Sequence, residues 1–194
     1  MHALARSAAP GELDELTLRR AQRGDQRAWR DLVERYQQPV HAVIWRLLAG
    51  RAQHRAPDLA QETFVRVLRA LDRFDPAGPA KLSTWILTIA TRLALNELRR
   101  PEPSVLDAEP IAPERADTNI ERKRLGAAIA AGVAALSDGH RAVLVLREYH
   151  ELDYAEIAEA LELDLGTVKS RLARARASLR EHLVAAVPEL GGRS

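Results

Sequence analysis

The sequence predicts an all-α fold of two small helical domains, the second a helix-turn-helix, joined by an acidic, proline-rich linker. Three observations predict this class. Hydrophobic residues make up 46% of the chain but aromatic residues only 4%, so the core is built from aliphatic side chains. Ala, Leu, Arg and Glu dominate the composition, and all four favour helix. Apolar residues recur at spacings of three and four, whereas strand-like runs of Val, Ile, Thr and Tyr are absent from the sequence.

The composition also excludes several classes of protein. The absence of cysteine excludes disulfides, thiolate zinc sites and cysteine nucleophiles. No apolar run approaches the roughly 20 residues that span a bilayer, and the segment from Met1 to Pro10 lacks the apolar core of a secretion signal. The formal net charge is only +2, so any nucleic-acid signal must lie in how the charges are distributed. We therefore expect a cytoplasmic protein without membrane insertion.

The first domain is predicted to span residues 13–100, after a flexible terminus of residues 1–12. Its helical period begins at Leu13 and produces one buried stripe. The stripe consists of Trp29, Leu32, Val33, Tyr36, Val40, Val43, Ile44 and Leu47. Pro39 interrupts this stripe, so we expect a kink or a break between two helices there.

A second helix is expected to open at Asp58. Its predicted apolar face consists of Leu59, Phe64, Val67, Leu68 and Leu71. The residues that follow at 75–79, Asp-Pro-Ala-Gly-Pro, are typical of a turn or loop because both Pro and Gly interrupt regular structure.

A third helix completes the first domain. Ser83 or Thr84 is its expected N-cap. Trp85 belongs to its apolar stripe, and we interpret this tryptophan as a core residue because aromatic residues at helical spacing more often pack than stack on a base. Pro101 ends the helix.

Residues 101–118 form the predicted linker. They contain four prolines and five acidic residues against one arginine, and no helical period survives in them. This composition predicts an extended acidic connection between two domains.

The second domain is predicted to span residues 119–186, followed by a flexible C-terminus of residues 187–194. Asp153 and Glu156 form a capping box at the start of one helix, and Thr167 is the expected cap of the next. Residues 162–166 form the turn between the two helices. The inward-facing residues are predicted to be Ile157, Ala158 and Leu161 in the first helix, and Val168, Leu172, Ala175 and Leu179 in the second.

Charge is divided unequally between these two helices. The first helix and its flanks are rich in Glu and Asp, while the second carries nearly all the nearby Lys and Arg. A helix-turn-helix places its second helix in the major groove, where Lys and Arg bind phosphates and Arg can also read guanine. The alternative is a solvated basic face in an ordinary helical bundle, since charged helix faces are common.

The amino-acid sequences of these segments resemble those of one known family. The run YAEIAEAL at 154–161, followed by LGTVKSRL at 165–172 and RAR at 174–176, resembles the C-terminal promoter-binding domain of bacterial sigma factors. DLAQETF at 58–64, ALDRF at 70–74, WILTIA at 85–90 and NELRR at 96–100 are similar to the N-terminal domain of the same family. The resemblance covers about residues 15–186, and the two-domain length is that of the small extracytoplasmic function (ECF) group.

The resemblance implies three binding surfaces. The helix that begins at Asp58 would dock on the clamp coiled coil of core RNA polymerase through Asp58, Gln61, Glu62 and Arg66. The loop at 73–81 would hold an extruded base of the minus-ten element, and the next helix would line the melted non-template strand. The residues implied for minus-ten DNA are Phe74, Lys81, Arg92, Asn96, Arg99 and Arg100. Those implied for minus-thirty-five DNA are Thr167, Lys169, Ser170, Arg171, Arg174 and Arg176.

The chain departs from the family pattern at two positions of the minus-ten helix. Family members usually have Arg at the position of Thr88 and Asn at that of Arg92, which puts the polar contacts of that Asn in question. The resemblance further implies an alternative sigma factor with no catalytic residue, no cofactor and no metal, whose partners are core RNA polymerase, promoter DNA and an anti-sigma factor. The acidic linker would lie inside the polymerase, where it either mimics nucleic-acid phosphate or serves as a solvated tether.

Two other function classes compete with this interpretation. One is a helix-turn-helix transcriptional regulator whose first domain senses a ligand, which leaves the motif at 58–64 unexplained. The other is a helical interaction protein such as an anti-sigma partner, which leaves the basic helix unexplained. Catalysis is not indicated, because the six histidines are scattered without metal-ligand spacing; we expect surface positions for His140 and His150.

Overall fold

The computed structural model describes residues 11–100 and 120–187, with side chains from 124 onward in the second range. Within these ranges the chain forms helices and no strand, which confirms the all-α prediction. The predicted linker, the residues before Gly11 and those after Val187 lie outside the described ranges. The helices are α1 Glu15–Gln22, α2 Gln26–Leu47, α3 Ala56–Ala70, α4 Leu82–Leu98, α5 Ile120–Ala135, α6 Asp138–Glu148, α7 Tyr154–Leu161 and α8 Leu165–Ala186.

The first four helices form a bundle around α2, which contacts α1, α3 and α4. Leu32, Val40, Val43 and Ile44 are fully buried along the side of α2 that the hydrophobic period predicted. Burial of this stripe drives the assembly of the bundle because each aliphatic side chain contributes roughly 1.5–3 kcal/mol when removed from water.

No break occurs at Pro39. Helix α2 runs without interruption from Gln26 to Leu47, and Pro39 is itself buried in its apolar face. The proline removes one backbone hydrogen bond at a cost of about 3 kcal/mol. Packing of the stripe on both sides of Pro39 outweighs this cost, so of the two expected outcomes, a kink or a break, the break is wrong.

The starts of α3 and α4 also differ from expectation. Helix α3 begins at Ala56 rather than Asp58, with Pro57 in the first turn where a missing N–H costs little. The N-cap of α4 is Lys81, whose backbone is extended at φ −67° and ψ 152°, rather than Ser83 or Thr84. Both hydroxyl residues lie buried in the first turn of α4 and bond to other parts of the chain.

The second bundle is built from α5 to α8, with α8 packed on α5, α6 and α7. The predicted stripe of α8 is confirmed, since Val168, Leu172, Ala175 and Leu179 are all buried. Gly132 lets α5 approach α8 closely, because a Cβ atom there would lie 2.6 Å from a methyl carbon of Leu179.

The helix-turn-helix is held by side-chain caps at both of its starts. The capping box at α7 is confirmed: Asp153 Oδ1 accepts from the Glu156 amide at 2.8 Å, and Glu156 Oε2 accepts from the Asp153 amide at 2.7 Å. Helix α8 starts earlier than expected, so residues 165 and 166 belong to it rather than to the turn. Its cap is Asp164, which accepts from the Thr167 amide at 2.7 Å, and the expectation of a Thr167 cap is therefore wrong.

Some apolar and histidine positions depart from the predicted pattern. Leu68 is 53% exposed rather than part of the α3 core face. Ala158 and Leu161 are half-buried, since α7 turns Ala160 into the core with Ile157. His150 is buried at 5% exposure, which contradicts the surface position expected for it. It follows α6 directly, and the next residues return into the core through Leu152.

Candidate nucleic-acid interface

Helix α3 presents a mixed polar and apolar outer face. Gln61 is exposed, Asp58 accepts from Arg55 Nη1 at 2.7 Å, and Glu62 accepts from Arg66 Nε at 2.8 Å. Leu68 lies exposed on the same helix, together with Val65. The ion pairs are solvent-exposed and worth little to stability, so these side chains are available to a partner.

A cleft of about 490 Å³ lies between α1 and the loop that precedes α4. Phe74 and Lys81 line it, as do Glu15 and Arg19 from α1. Gln22 holds the loop in place, because its amide nitrogen donates to the carbonyl oxygens of Leu71 at 2.9 Å and Phe74 at 2.7 Å. The cleft has the size of a typical small-ligand pocket, and the start of the loop that forms it is fixed by Gln22.

An aromatic pair stands behind this cleft. The rings of Phe74 and Trp85 lie 5.2 Å apart at an angle of 39°. Phe74 lines the cleft, whereas Trp85 is half-buried and packs against the core, which agrees with its interpretation as a packing residue. The pair therefore gives the cleft one aromatic wall with a rigid support.

The C-terminal part of α4 carries exposed polar and basic groups. Asn96, Arg99 and Arg100 are exposed at its end. Arg99 donates to Asn96 at 3.4 Å, and Arg100 pairs with Glu97 at 3.2 Å. Arg92 differs from this group, because it is bonded to residues of α7 rather than left facing solvent alone.

The six residues of α8 that the sequence assigns to minus-thirty-five DNA divide into an exposed set and a set held by intramolecular contacts. Lys169, Ser170 and Arg174 are exposed on one side of the helix. The other three have intramolecular contacts: Thr167 donates its hydroxyl to Asp164, Arg171 lies half-buried against Gly139, and Arg176 donates to Glu148. The Arg176 Nε to Glu148 Oε1 distance is 3.0 Å. Lys169 and Arg174 can reach a base edge without first breaking a contact, whereas the Ser170 hydroxyl donates to the Thr167 carbonyl oxygen at 3.1 Å.

Glu12 is a site residue that the sequence did not reveal. Its carboxylate accepts from the amide of Ser83 at 3.4 Å and from the hydroxyl of the same residue. It also accepts from Tyr36 at 3.5 Å, and it lines the cleft. The terminus predicted to be flexible, residues 1–12, thus ends in a residue that is hydrogen-bonded to α4. No local pattern signals this contact, since its partners lie far along the chain.

The parts of the chain that the structure describes contain no group of His, Cys, Asp and Glu arranged to hold a metal ion. None of the helices in residues 11–100 and 120–187 is both long and apolar enough to cross a membrane.

Comparison with known proteins gives matches over nearly the whole chain. The family model for sigma-70 region 2 matches residues 32–102, and that for sigma-70 region 4 matches residues 127–179. The ECF RNA polymerase sigma factor SigW of Bacillus subtilis is 34% identical over 183 residues, which cover 86% of this chain and 94% of SigW. The RNA polymerase sigma-H factor of Pseudomonas aeruginosa is 34% identical over 189 residues, or 89% of this chain and 94% of that relative.

Two solved structures share the fold. CnrH, solved in complex with the cytosolic domain of CnrY, is 28% identical and superimposes with a TM-score of 0.63, covering 89% of this chain and 97% of CnrH. The sigma factor RpoE of Bartonella quintana, solved with the anti-sigma factor NepR, is 20% identical with a TM-score of 0.65, covering 79% of this chain and 95% of RpoE. The first spans both helical bundles described above.

Proposed function

The chain belongs to the ECF sigma factors, and we propose from this premise that its loop cleft and α4 bind the minus-ten element while α8 binds the minus-thirty-five element. It is an alternative sigma factor that directs promoter recognition in transcription initiation. A regulator with a sensing first domain is not favoured, because the region 2 model matches that domain. The observation that carries the assignment is this pair of matches, one on each helical bundle, in the order region 2 and then region 4.

The outer face of α3 is the proposed contact with core RNA polymerase. Gln61 is its exposed centre, with Asp58, Glu62 and Arg66 beside it. Exposed apolar side chains next to polar groups are typical of protein interfaces, and Leu68 supplies one here.

The minus-ten element is proposed to use the cleft and the end of α4. An extruded base loses stacking energy that a shaped pocket with an aromatic wall recovers, and Phe74 provides that wall. Lys81 at the rim supplies a phosphate contact. Asn96, Arg99 and Arg100 extend a polar and basic path along α4.

The minus-thirty-five element is proposed to face the exposed side of α8. Lys169, Ser170 and Arg174 lie there near the start of the helix, where base edges are reached. Thr167, Arg171 and Arg176 contribute after release from their intramolecular partners or by orienting the helix.

The proposed partners are core RNA polymerase, promoter DNA and an anti-sigma factor, and the proposed location is the cytoplasm. The anti-sigma partner is supported by the resemblance in fold to RpoE, which was solved with one. Initiation factors of this kind supply recognition, while the polymerase supplies the chemistry, so no catalytic residue is proposed.

Run-off transcription tests the assignment. The purified chain mixed with core polymerase is expected to give a defined transcript from its promoter, and core alone is expected to give none. Retention of the chain on immobilised core polymerase should accompany this activity. A chain that bound promoter DNA tightly by itself but neither bound core nor supported transcription would be a conventional regulator instead.

A further inference from the structure

The two helical bundles are joined by a pair of reciprocal arginine contacts. Arg92 of α4 donates to the carbonyl oxygens of Glu159 at 3.1 Å and Ala160 at 3.3 Å, near the end of α7. Arg141 of α6 donates to the carbonyl oxygen of Leu47 at 2.8 Å, at the end of α2. The last carbonyls of a helix lack intrahelical partners and form the negative end of its dipole. Each bundle therefore caps a helix of the other with a guanidinium group.

The Arg141 side of this junction is buried. Arg141 is 4% exposed. Besides Leu47 it bonds the carbonyl oxygens of Val133, Ala134 and Leu136. The guanidinium of Arg46 on α2 lies 4.2 Å from the ring centroid of Tyr149, which follows α6. The buried guanidinium of Arg141, with four carbonyl acceptors from both bundles, indicates a specific interface.

The Arg92 side covers part of the proposed DNA surface. Thr84 of α4 is 7% exposed and donates its hydroxyl to Glu156 of α7 at 2.7 Å. Arg92 also pairs with Glu162, just after α7, at 3.3 Å. Helix α7 thus lies along α4 from Thr84 to Arg92, two turns further on.

The minus-thirty-five side of the second bundle is not used in this junction. Lys169, Ser170 and Arg174 of α8 remain exposed, while the bundle meets α2 and α4 through α6 and α7. The two proposed promoter surfaces therefore differ. On α4 the stretch from Thr84 to Arg92 is covered while Asn96, Arg99 and Arg100 remain exposed, and the face of α8 is open.

We propose that the free chain holds itself closed, with α7 covering the DNA-binding stretch of α4 and Arg92 acting as the latch. The inference rests on the proposed role of α4 at the minus-ten element. Melted promoter strand and α7 compete for the same stretch, so binding of the strand requires Arg92 to leave the end of α7. In the closed chain, acidic side chains of α7 such as Glu156 lie where the phosphates of the melted strand would bind along α4.

A distance measurement tests the latch directly. The chain has no cysteine, so Gln37→Cys on α2 and Ser178→Cys on α8, both exposed, give one label site in each bundle. Glu162→Lys places a positive charge beside Arg92, and Glu181→Lys on exposed α8 is the control with the same charge change. The labelled parent and the control are expected to show a single distance between the labels at positions 37 and 178, that of the closed chain. Glu162→Lys is expected to populate a longer distance, with the open fraction raised about fivefold.

Binding of a single-stranded minus-ten oligonucleotide by the full-length chain tests the covering. Glu162→Lys is expected to bind about fivefold more tightly than Glu181→Lys, and Asn96→Ala added to Glu162→Lys is expected to remove the gain. Identical distances in all chains would overturn the latch. An opened chain with unchanged affinity would overturn the covering of α4. An opened chain that binds no strand at all would show that α4 does not bind the minus-ten element, which overturns the inference that α7 covers a DNA-binding surface. In that case the distance data would still show that Arg92 holds the two bundles together.

Discussion

At the scale of single residues, His150 has an environment that predicts a pH effect. The imidazole is 5% exposed, and its Nε2 atom has no hydrogen-bond partner among the described residues. Burial, followed by the charge of Arg46, lowers the pKa of His150 to about 3 from its ordinary 6.5. The folded chain therefore holds this side chain neutral.

The free energy of unfolding should fall as the pH is lowered below 6.5. The unfolded chain binds a proton at His150 near its ordinary pKa of 6.5, whereas the folded chain does so only near 3. The stability that the neutral imidazole contributes is thus fully present above pH 6.5 and is lost towards pH 3, at about 1.4 kcal/mol per pH unit. The free energy of unfolding can be measured with urea at pH 7.5 and at pH 5.5. It should change less between the two pH values for His150→Gln than for the exposed control His54→Gln. Equal slopes in the two variants would contradict this.

Exposure separates the arginines of α8 by the kind of DNA contact each can make. Arg174 is exposed near the start of the helix and Arg180 is exposed further along, whereas Arg171 lies against Gly139. Arg174→Ala should reduce the difference in binding free energy between the preferred base and the other bases at one minus-thirty-five position by about 1–3 kcal/mol. Arg180→Ala should weaken all promoter sequences alike and lower the salt slope by about 1.

The measurement for these arginines is binding of holoenzyme to a panel of single-base promoter variants at two salt concentrations. Arg171, which the resemblance also implies for minus-thirty-five DNA, should show the smaller change in preference when replaced by Ala, because its guanidinium is packed against α6. If Arg174→Ala weakened every variant equally, Arg174 would be a backbone anchor.

At the scale of elements, α3 combines a buried face with a surface suited to a large partner. Its ion pairs, Asp58 with Arg55 and Glu62 with Arg66, are exposed and add little to the stability of the helix. Substitutions on this face should therefore change docking while leaving the fold intact.

Gln61→Ala combined with Glu62→Ala should weaken core polymerase binding about tenfold or more, since interface residues at a centre commonly carry over 1 kcal/mol each. The matched control is Glu34→Ala with Gln37→Ala, an exposed pair on α2. Both chains should keep the same thermal midpoint and the same helical circular dichroism. Unchanged affinity for core would remove α3 from the docking surface.

The elements also show what local patterns predict well and what they do not. The capping box of α7 and the stripe of α8 followed from spacing alone, because both depend on residues within one or two turns. The caps of α4 and α8 did not. Ser83 bonds Glu12 rather than its own helix end, and Asp164 competes with Thr167 for the same cap. Preference for hydroxyls at an N-cap does not decide which of several adjacent polar residues takes the position.

At the scale of the whole molecule, the division into two helical bundles and the basic surface of α8 followed from the sequence, but the junction between the bundles did not. Arg92 and Arg141 belong to no motif and no charge pattern, and each bonds carbonyl oxygens of residues more than 60 positions away. Backbone acceptors carry no side-chain signature, so such contacts are invisible to spacing arguments. The resemblance accordingly implies a DNA contact for Arg92 and does not indicate its contact with α7.

Arg141 should couple the unfolding of the two bundles. Its guanidinium is buried and donates to three carbonyl oxygens within the second bundle and to the carbonyl oxygen of Leu47 in the first.

Arg141→Met removes all four hydrogen bonds and leaves these carbonyl oxygens without the guanidinium donor, which should lower the free energy of unfolding by about 2–5 kcal/mol. The loss falls unequally, because most of the bonds lie in the second bundle. We therefore expect calorimetry of the full chain to change from one transition to two, with the second bundle unfolding first. The control is Arg51→Ala, which removes one exposed 3.5 Å pair with Asp138 across the same junction and a 3.1 Å hydrogen bond to the Leu98 carbonyl oxygen within the first bundle. It should keep a single transition, because the pair across the junction is exposed and weak. Two transitions already present in the parent chain would show that the bundles unfold independently and that the Arg141 to Leu47 bond does not couple them.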